Sequence, residues 1–307
     1  MAEARQFRPS ILATIIRYTP TFLSNPKNRK RSNMLRLVPF LIALMLSTQV
    51  HADKLPIFDA HIHYSHDAVT LVPPEEAVQA LRSAGLRKAL VSSSDDNGTQ
   101  LLVEAAPDLI VPALRPYRRR GEIGTWMHDP TVIDYVEERL AKHKYFAIGE
   151  FHAYGDDIKT PVLQRIISLA KEHNLLLHAH SDAEAVDLIF ETYPDALVLW
   201  AHSGFDRPEK VAEVLGRHKN LWADLAFRSD QSNGGTVSED WLPVFKAFPD
   251  RFMVGTDTFA PERWYYVSEH ASFSREWIST LPEELIDNLP FQNAEKMIEQ
   301  IEARRMN

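Results

Sequence analysis

Eight apolar runs of strand length alternate with segments of helical period after residue 52, and predict an α/β protein of the (β/α)8 TIM-barrel class. The count of βα units is one observation, and the size of the segment that holds them, residues 53–307, is a second. The third is where polar residues fall: histidines and acids stand at the ends of the runs. A doubly wound open sheet shows the same alternation. Polar strand ends favour the barrel, in which functional residues collect at the C-terminal ends of the strands.

The elements follow in order. The first run, "PIFDAHIH", ends in His61 and His63, two residues apart and hence on one face of a strand. "KALVSSS" and "LIVPALRPY" are the second and third, the latter ending near Arg115. "YFAIGEFH" carries Glu150 and His152, "LLLHAHS" carries His178 and His180, and "LVLWAHSG" carries His202. "LWADLAF" has Asp224 inside the run, where structural support is expected, and Arg228 just after it; "RFMVGTDT" ends near Asp257. These runs are continuously apolar rather than alternating, as strands covered on both faces are. Between them, segments such as "PPEEAVQALRSAG", "TVIDYVEERLAKHK" and "TPVLQRIISLAKEHN" repeat apolar residues every three or four positions. Thr160-Pro161 and Asp206-Arg207-Pro208 are helix starts. "NAEKMIEQIEARRMN" is the terminal helix.

Residues 1–52 read differently. A basic stretch, an apolar run from Leu37 to Leu46 and the A-x-A-like Val50-His51-Ala52 have the order of a cleavable secretory signal. The run is too short to span a bilayer comfortably. No stable membrane anchor and a periplasmic or secreted location are therefore expected, with Met34 as a second natural start. Of 34 basic and 42 acidic residues, eight and one lie in this segment; 26 and 41 remain, a formal charge of −15. Such a surface repels nucleic acid and anionic membranes, so a small-molecule substrate is expected and nucleic acid is not. The oligomeric state stays open. The chain has no cysteine, which excludes disulfides and thiolate ligands and leaves nitrogen and oxygen to hold any metal.

In a barrel, His61, His63, Glu150, His178, His180, His202 and Asp257 would converge on one point. Imidazoles and carboxylates in that number suit Zn²⁺ or another divalent ion, one or two per chain. A water bound to such an ion has its pKa lowered to about 7, and Asp257 is placed to act as ligand and as base. The ordered set HxH, Glu, His, His and Asp on runs 1, 4, 5, 6 and 8 resembles the amidohydrolase superfamily of metal-dependent hydrolases. It is similar in particular to the amidohydrolase-related branch, with its aromatic-acid decarboxylases and lactonases, and to TatD-like deoxyribonucleases. The resemblance covers Pro56 to about Ile301, including "LPFQNAEKMI", where an Asn-Ala pair opens the last helix. It implies His61 and His63 as ligands, Glu150 as ligand or bridge, and His178, His202 and Asp257 from the later strands. Many binuclear members carry a carboxylated lysine where this chain has Glu150. On run 5 the resemblance favours His178 as ligand, with His180 as a substrate contact. His152 reads equally as a packing residue or a functional one. Arg228 is favoured over Arg115 for an anionic substrate group, because "FRSD" lies one strand from Asp257. Asp257 and His202 are the expected catalytic pair.

These residues imply hydrolysis of an amide, ester, lactone or phosphoester bond. A non-oxidative decarboxylase is the alternative by analogy within the superfamily. A metal-free glycosidase would leave the histidines without a purpose, and a non-catalytic metal-binding protein would not need Asp257 as a base.

Overall fold

Strand β1 (Ile57–His63) starts a parallel series of β2 (Leu86–Ser92), β3 (Ile110–Leu114), β4 (Ala147–His152), β5 (Leu176–His180), β6 (Leu197–Trp200), β7 (Leu221–Asp224) and β8 (Phe252–Met253), each hydrogen-bonded to the next in sequence order. This computed structural model describes residues 54–119 and 121–306. The ring closes between β8 and β1: Ala60 N–H donates to Val254 O at 2.9 Å, Asp257 N–H to His61 O at 2.9 Å and His63 N–H to Thr258 O at 3.1 Å. The expected (β/α)8 barrel is the observed fold. The leader read in residues 1–52 lies outside the described residues. Among those residues no helix is long and apolar enough to cross a membrane.

Helices such as Pro74–Ser83, Pro161–Glu172 and Pro208–Arg217 cover the outside, each opened by a proline whose missing N–H is no loss in a first turn. Their apolar stripes meet the outward residues of the strands, among them Ile57, Val91, Ile148, Leu177 and Val198. A second core fills the lower half of the barrel with inward residues: Phe58, Leu90, Val111, Leu176, Leu197, Trp222 and Met253. The terminal helix Asn293–Met306 seals that end with Ala294, Met297, Ile298 and Ile301. Asn293 Nδ2 ties it to the carbonyls of Pro249 and Phe252 at 3.0 and 2.9 Å.

Two irregularities decide what points inward at the other end. In β1, Phe58 and Ala60 belong to the inner core, which by strict alternation would turn His61 and His63 outward. The pairing with β2 shifts between Asp59 and Ile62, and that break brings His61 and His63 inside. In β4 the pairing with β5 shifts between Gly149 and Phe151, which does the same for Glu150. Gly149 has φ 130°, and a Cβ there would sit 2.1 Å from the His178 carbonyl oxygen, so only glycine allows the close approach. The eighth run, read as far as Thr258, is regular strand only over Phe252–Met253. Asp257, at φ 46°, takes the chain out of the extended conformation.

Candidate metal centre

Three imidazoles are fixed in one tautomer by their surroundings. His63 Nδ1 lies 3.1 Å from Ser92 O, His202 Nδ1 2.8 Å from Ala226 O, and His61 Nδ1 3.2 Å from Asp224 Oδ2. Carbonyl and carboxylate oxygens only accept, so each Nδ1 carries the proton and each ring, when neutral, presents a bare Nε2; the Ser92 hydroxyl also lies 3.0 Å from His63 Nδ1. Those bare nitrogens face other acceptors. His61 Nε2 and His63 Nε2 are 3.2 Å apart. Glu150 stands 3.5 Å from the first through Oε1 and 3.1 Å from the second through Oε2; Asp257 Oδ1 stands 3.8 and 3.5 Å from them. His202 Nε2 adds a contact to Glu150 Oε1 at 3.5 Å. With the rings neutral, lone pairs converge on one point and call for positive charge there, a proton or a metal ion, and the all-nitrogen and oxygen donor set fits a divalent ion.

The electrostatics agree. Burial opposes a charge on His61, yet the Asp224 and Glu150 carboxylates outweigh it and raise the ring's pKa well above its ordinary value. Without a metal, a proton on His61 supplies part of the positive charge the cluster lacks. Burial, joined by the Arg115 charge, lowers the pKa of His63. Burial also penalises ionised Glu150, but His61 and Arg115 hold its carboxyl well below the usual range. Arg115 Nη2 donates to Glu150 Oε2 at 2.7 Å, and its Nε donates to the Glu150 carbonyl at 3.2 Å.

Asp224 organises the level below. Fully buried, it holds His61 through Oδ2 and accepts the backbone N–H groups of His202 and Ala226 on Oδ1, at 2.9 and 3.0 Å. Ser203 Oγ donates to its carbonyl at 2.8 Å. These contacts hold the turn Ala201–Phe205, where His202, Ser203 and Gly204 are all left-handed at φ 55°, 52° and 65°. His178 turns its Nε2 to Asp224 Oδ2 at 3.2 Å and forms a group with His61 and Asp224. His180 Nδ1 is 2.7 Å from Glu150 Oε1, and its ring stacks on His152 at 4.0 Å. Burial pushes His152 down to about 3 and His178 to about 4.

Above the cluster lies a cavity of about 510 Å³, whose walls include His63, Arg115, Tyr117, His152, His180, His202 and Asp257. The structure therefore brings His61, His63, Glu150, His180, His202 and Asp257 together, with His178 one level down. Arg228 is elsewhere. Its guanidinium is bound by the Asp230 carboxylate and the carbonyls of His202 and Asp206 and lies 4.7 Å over the Trp241 ring, so it holds loops. Arg115 lines the cavity, as does Arg119. Asp224 is the structural support expected of an acid in the middle of the apolar run "LWADLAF", and it supports the cluster itself through His61 and the His202 turn.

A parallel eightfold barrel with imidazoles and carboxylates gathered at its C-terminal mouth has its polar cluster where TIM-barrel enzymes place their functional residues. The amidohydrolase family model matches residues 58–299, and the chain belongs to that family. A search of curated proteins finds no match. Among solved structures, an uncharacterized TIM-barrel protein from Bordetella bronchiseptica is similar at 14% identity and TM-score 0.56, over 81% of this chain and 100% of that one. A candidate 2-pyrone-4,6-dicarboxylic acid hydrolase from Pseudomonas putida is similar at 15% and 0.54, over 80% and 98%. A TatD homologue from Escherichia coli K12 is similar at 17% and 0.52, over 78% and 97%. At these identities the likeness is one of fold.

Proposed function

We propose that the chain is a metal-dependent hydrolase that cleaves an amide, ester, lactone or phosphoester bond of a small substrate admitted to the 510 Å³ cavity. The observation that carries this reading is the facing of bare Nε2 atoms and carboxylates at the cavity floor. His61, His63, Glu150 and Asp257 would hold the ion, Zn²⁺ or a similar divalent metal. Such an ion supplies Lewis-acid polarisation of the scissile bond and lowers the pKa of the attacking water. Asp257 takes the water's proton and returns it to the leaving group. His202 Nε2, held toward the cavity by its Nδ1 bond to Ala226 O, assists at the same face. Arg115 keeps Glu150 ionised, while His152 and His180 form a polar wall against the substrate. The segment 1–52 would export the enzyme and be removed near Asp53; N-terminal sequencing of the secreted protein tests that step.

The deciding experiment pairs elemental analysis of the purified domain with an activity panel of amides, esters, lactones, phosphoesters and aromatic carboxylates. Bound divalent metal, and hydrolysis that a chelator removes and the metal restores, are expected. Turnover confined to carboxylates with release of carbon dioxide would replace hydrolysis by the lyase reaction. A protein without metal or turnover on any arm would end the reading.

A further inference from the structure

Asp257 bears the carboxylate nearest His61 and His63 on the eighth strand's side, and its backbone is left-handed at φ 46°. A residue with a side chain is disfavoured in that region and persists there only where the surroundings impose it. One side chain grips this turn from outside the barrel's ladder, beside the backbone bonds that tie Asp257 and Thr258 to β1. Arg263, in the turn Pro261–Tyr266, donates from Nε to Asp257 O at 2.8 Å and from Nη2 to Thr256 O at 2.7 Å. Carbonyls of successive residues in an extended strand point to opposite sides. A single planar fork can hold both only where the chain has turned. The guanidinium is half-buried, and it faces the Phe227 and Phe259 rings at 5.0 and 5.6 Å from their centroids. Those rings suit the flat cation's face while its edge serves the carbonyls.

We propose that Arg263 is the positioning residue for Asp257: it selects the turned backbone that aims the carboxylate at His61 and His63. It touches neither substrate nor metal in this role. The inference rests on the proposed part of Asp257 as proton acceptor.

A second cavity of about 220 Å³, lined by Arg263 together with Gly255, Thr256, Phe227 and Trp277, lies beside the contact and makes a chemical test available. Removing the side chain in Arg263→Ala leaves room for a free guanidinium ion to enter from there. In the metal-loaded full-length enzyme, Arg263→Ala should lower kcat at least tenfold with KM within about twofold. Millimolar guanidinium should restore a severalfold part of the loss, and equal ammonium should not. Arg263→Lys, which keeps the charge but offers a point rather than a fork, should fall between; it carries the test if Arg263→Ala does not fold. Wild-type kcat in the folded variant, or a loss confined to KM, would overturn the proposal. So would a loss that matches the fall in folded fraction and ignores guanidinium. Asp257→Asn, assayed in parallel, separates the two ideas. If it turns over normally, the base reading fails, and Arg263 is judged by whether Asp257 leaves the left-handed region in a crystal structure of Arg263→Ala.

Discussion

The floor and the mouth of the barrel are made by the same eight strands and are built on opposite terms. At the floor, Phe58, Leu90, Leu176, Trp222 and Met253 meet Met297 and Ile301 of the terminal helix, an interior of hydrocarbon. Two or three residues further along the strands stand His61, Glu150, His178 and Asp224, all buried and all charged or polar. Among the described residues, six other than glycine have positive φ, and five of these (His202, Ser203, Phe205, Phe227 and Asp257) follow β6, β7 or β8 at the mouth. Strain and buried charge are thus concentrated at one end. The difference teaches that stability and chemistry are separable here: apolar burial at the floor and wall sustains a mouth that would be unstable by itself.

The largest test of that separation removes both strand-1 imidazoles. His61→Ala with His63→Ala should abolish tight metal binding and turnover together. The melting temperature should stay within a few degrees of that of the metal-free wild type, since about 1 kcal/mol moves it 2–4 °C at this size. Full metal occupancy in the double variant, by elemental analysis, would show the cluster is not the site. Next is Asp257→Asn, which keeps the side chain's shape and tolerates the left-handed backbone. With metal content matched, kcat should fall roughly 10²–10⁴-fold and KM little, the pattern of an interaction made only in the transition state. Near-normal turnover would pass the role of base to His202. Third, the floor should show the converse. Met297→Ala removes a fully buried side chain and should cost about 2–5 kcal/mol in denaturant unfolding while leaving kcat unchanged. A matching loss of kcat would mean that the two ends are coupled.

The same division explains what could be read from the sequence. The barrel was legible because its strands, covered on both faces, appear as unbroken apolar runs. The polar cluster was legible because His61, Glu150, His202 and Asp257 stand where those runs end. What escaped depends on where side chains turn in space. Arg228 and Arg115 are equivalent as strand-end arginines; only the fold shows that Asp230 and two carbonyls hold the first, while Glu150 brings the second to the cavity. His178 and His180 alternate onto the same face, yet Asp224 meets one and Glu150 the other, one level apart. The shifts in β1 and β4 break the simple period, and nothing local announces them except Gly149.

The smallest effect concerns acid. Burial pushes His152 down to about 3 from its ordinary 6.5, so the folded ring stays neutral while the unfolded chain takes up a proton. Between pH 6.5 and about 3 the unfolded state therefore binds more protons, and stability must fall as the pH drops through that window. The contribution is complete above 6.5 and is at most about 1.4 kcal/mol per pH unit below it. It is smaller in practice, because the ring is only part-buried. In chelated protein, where metal release cannot add to the slope, His152→Gln should flatten the decline of melting temperature between pH 7 and pH 5. Gln can keep a hydrogen bond to Tyr117 OH, which lies 3.0 Å from His152 Nδ1. Met297→Ala, at the floor, should lower the whole curve and leave its slope alone, since no titrating group belongs to that core. A His152→Gln curve parallel to the wild type would mean that the acid sensitivity of the mouth resides in other groups, with His178, pushed down to about 4, the next to change.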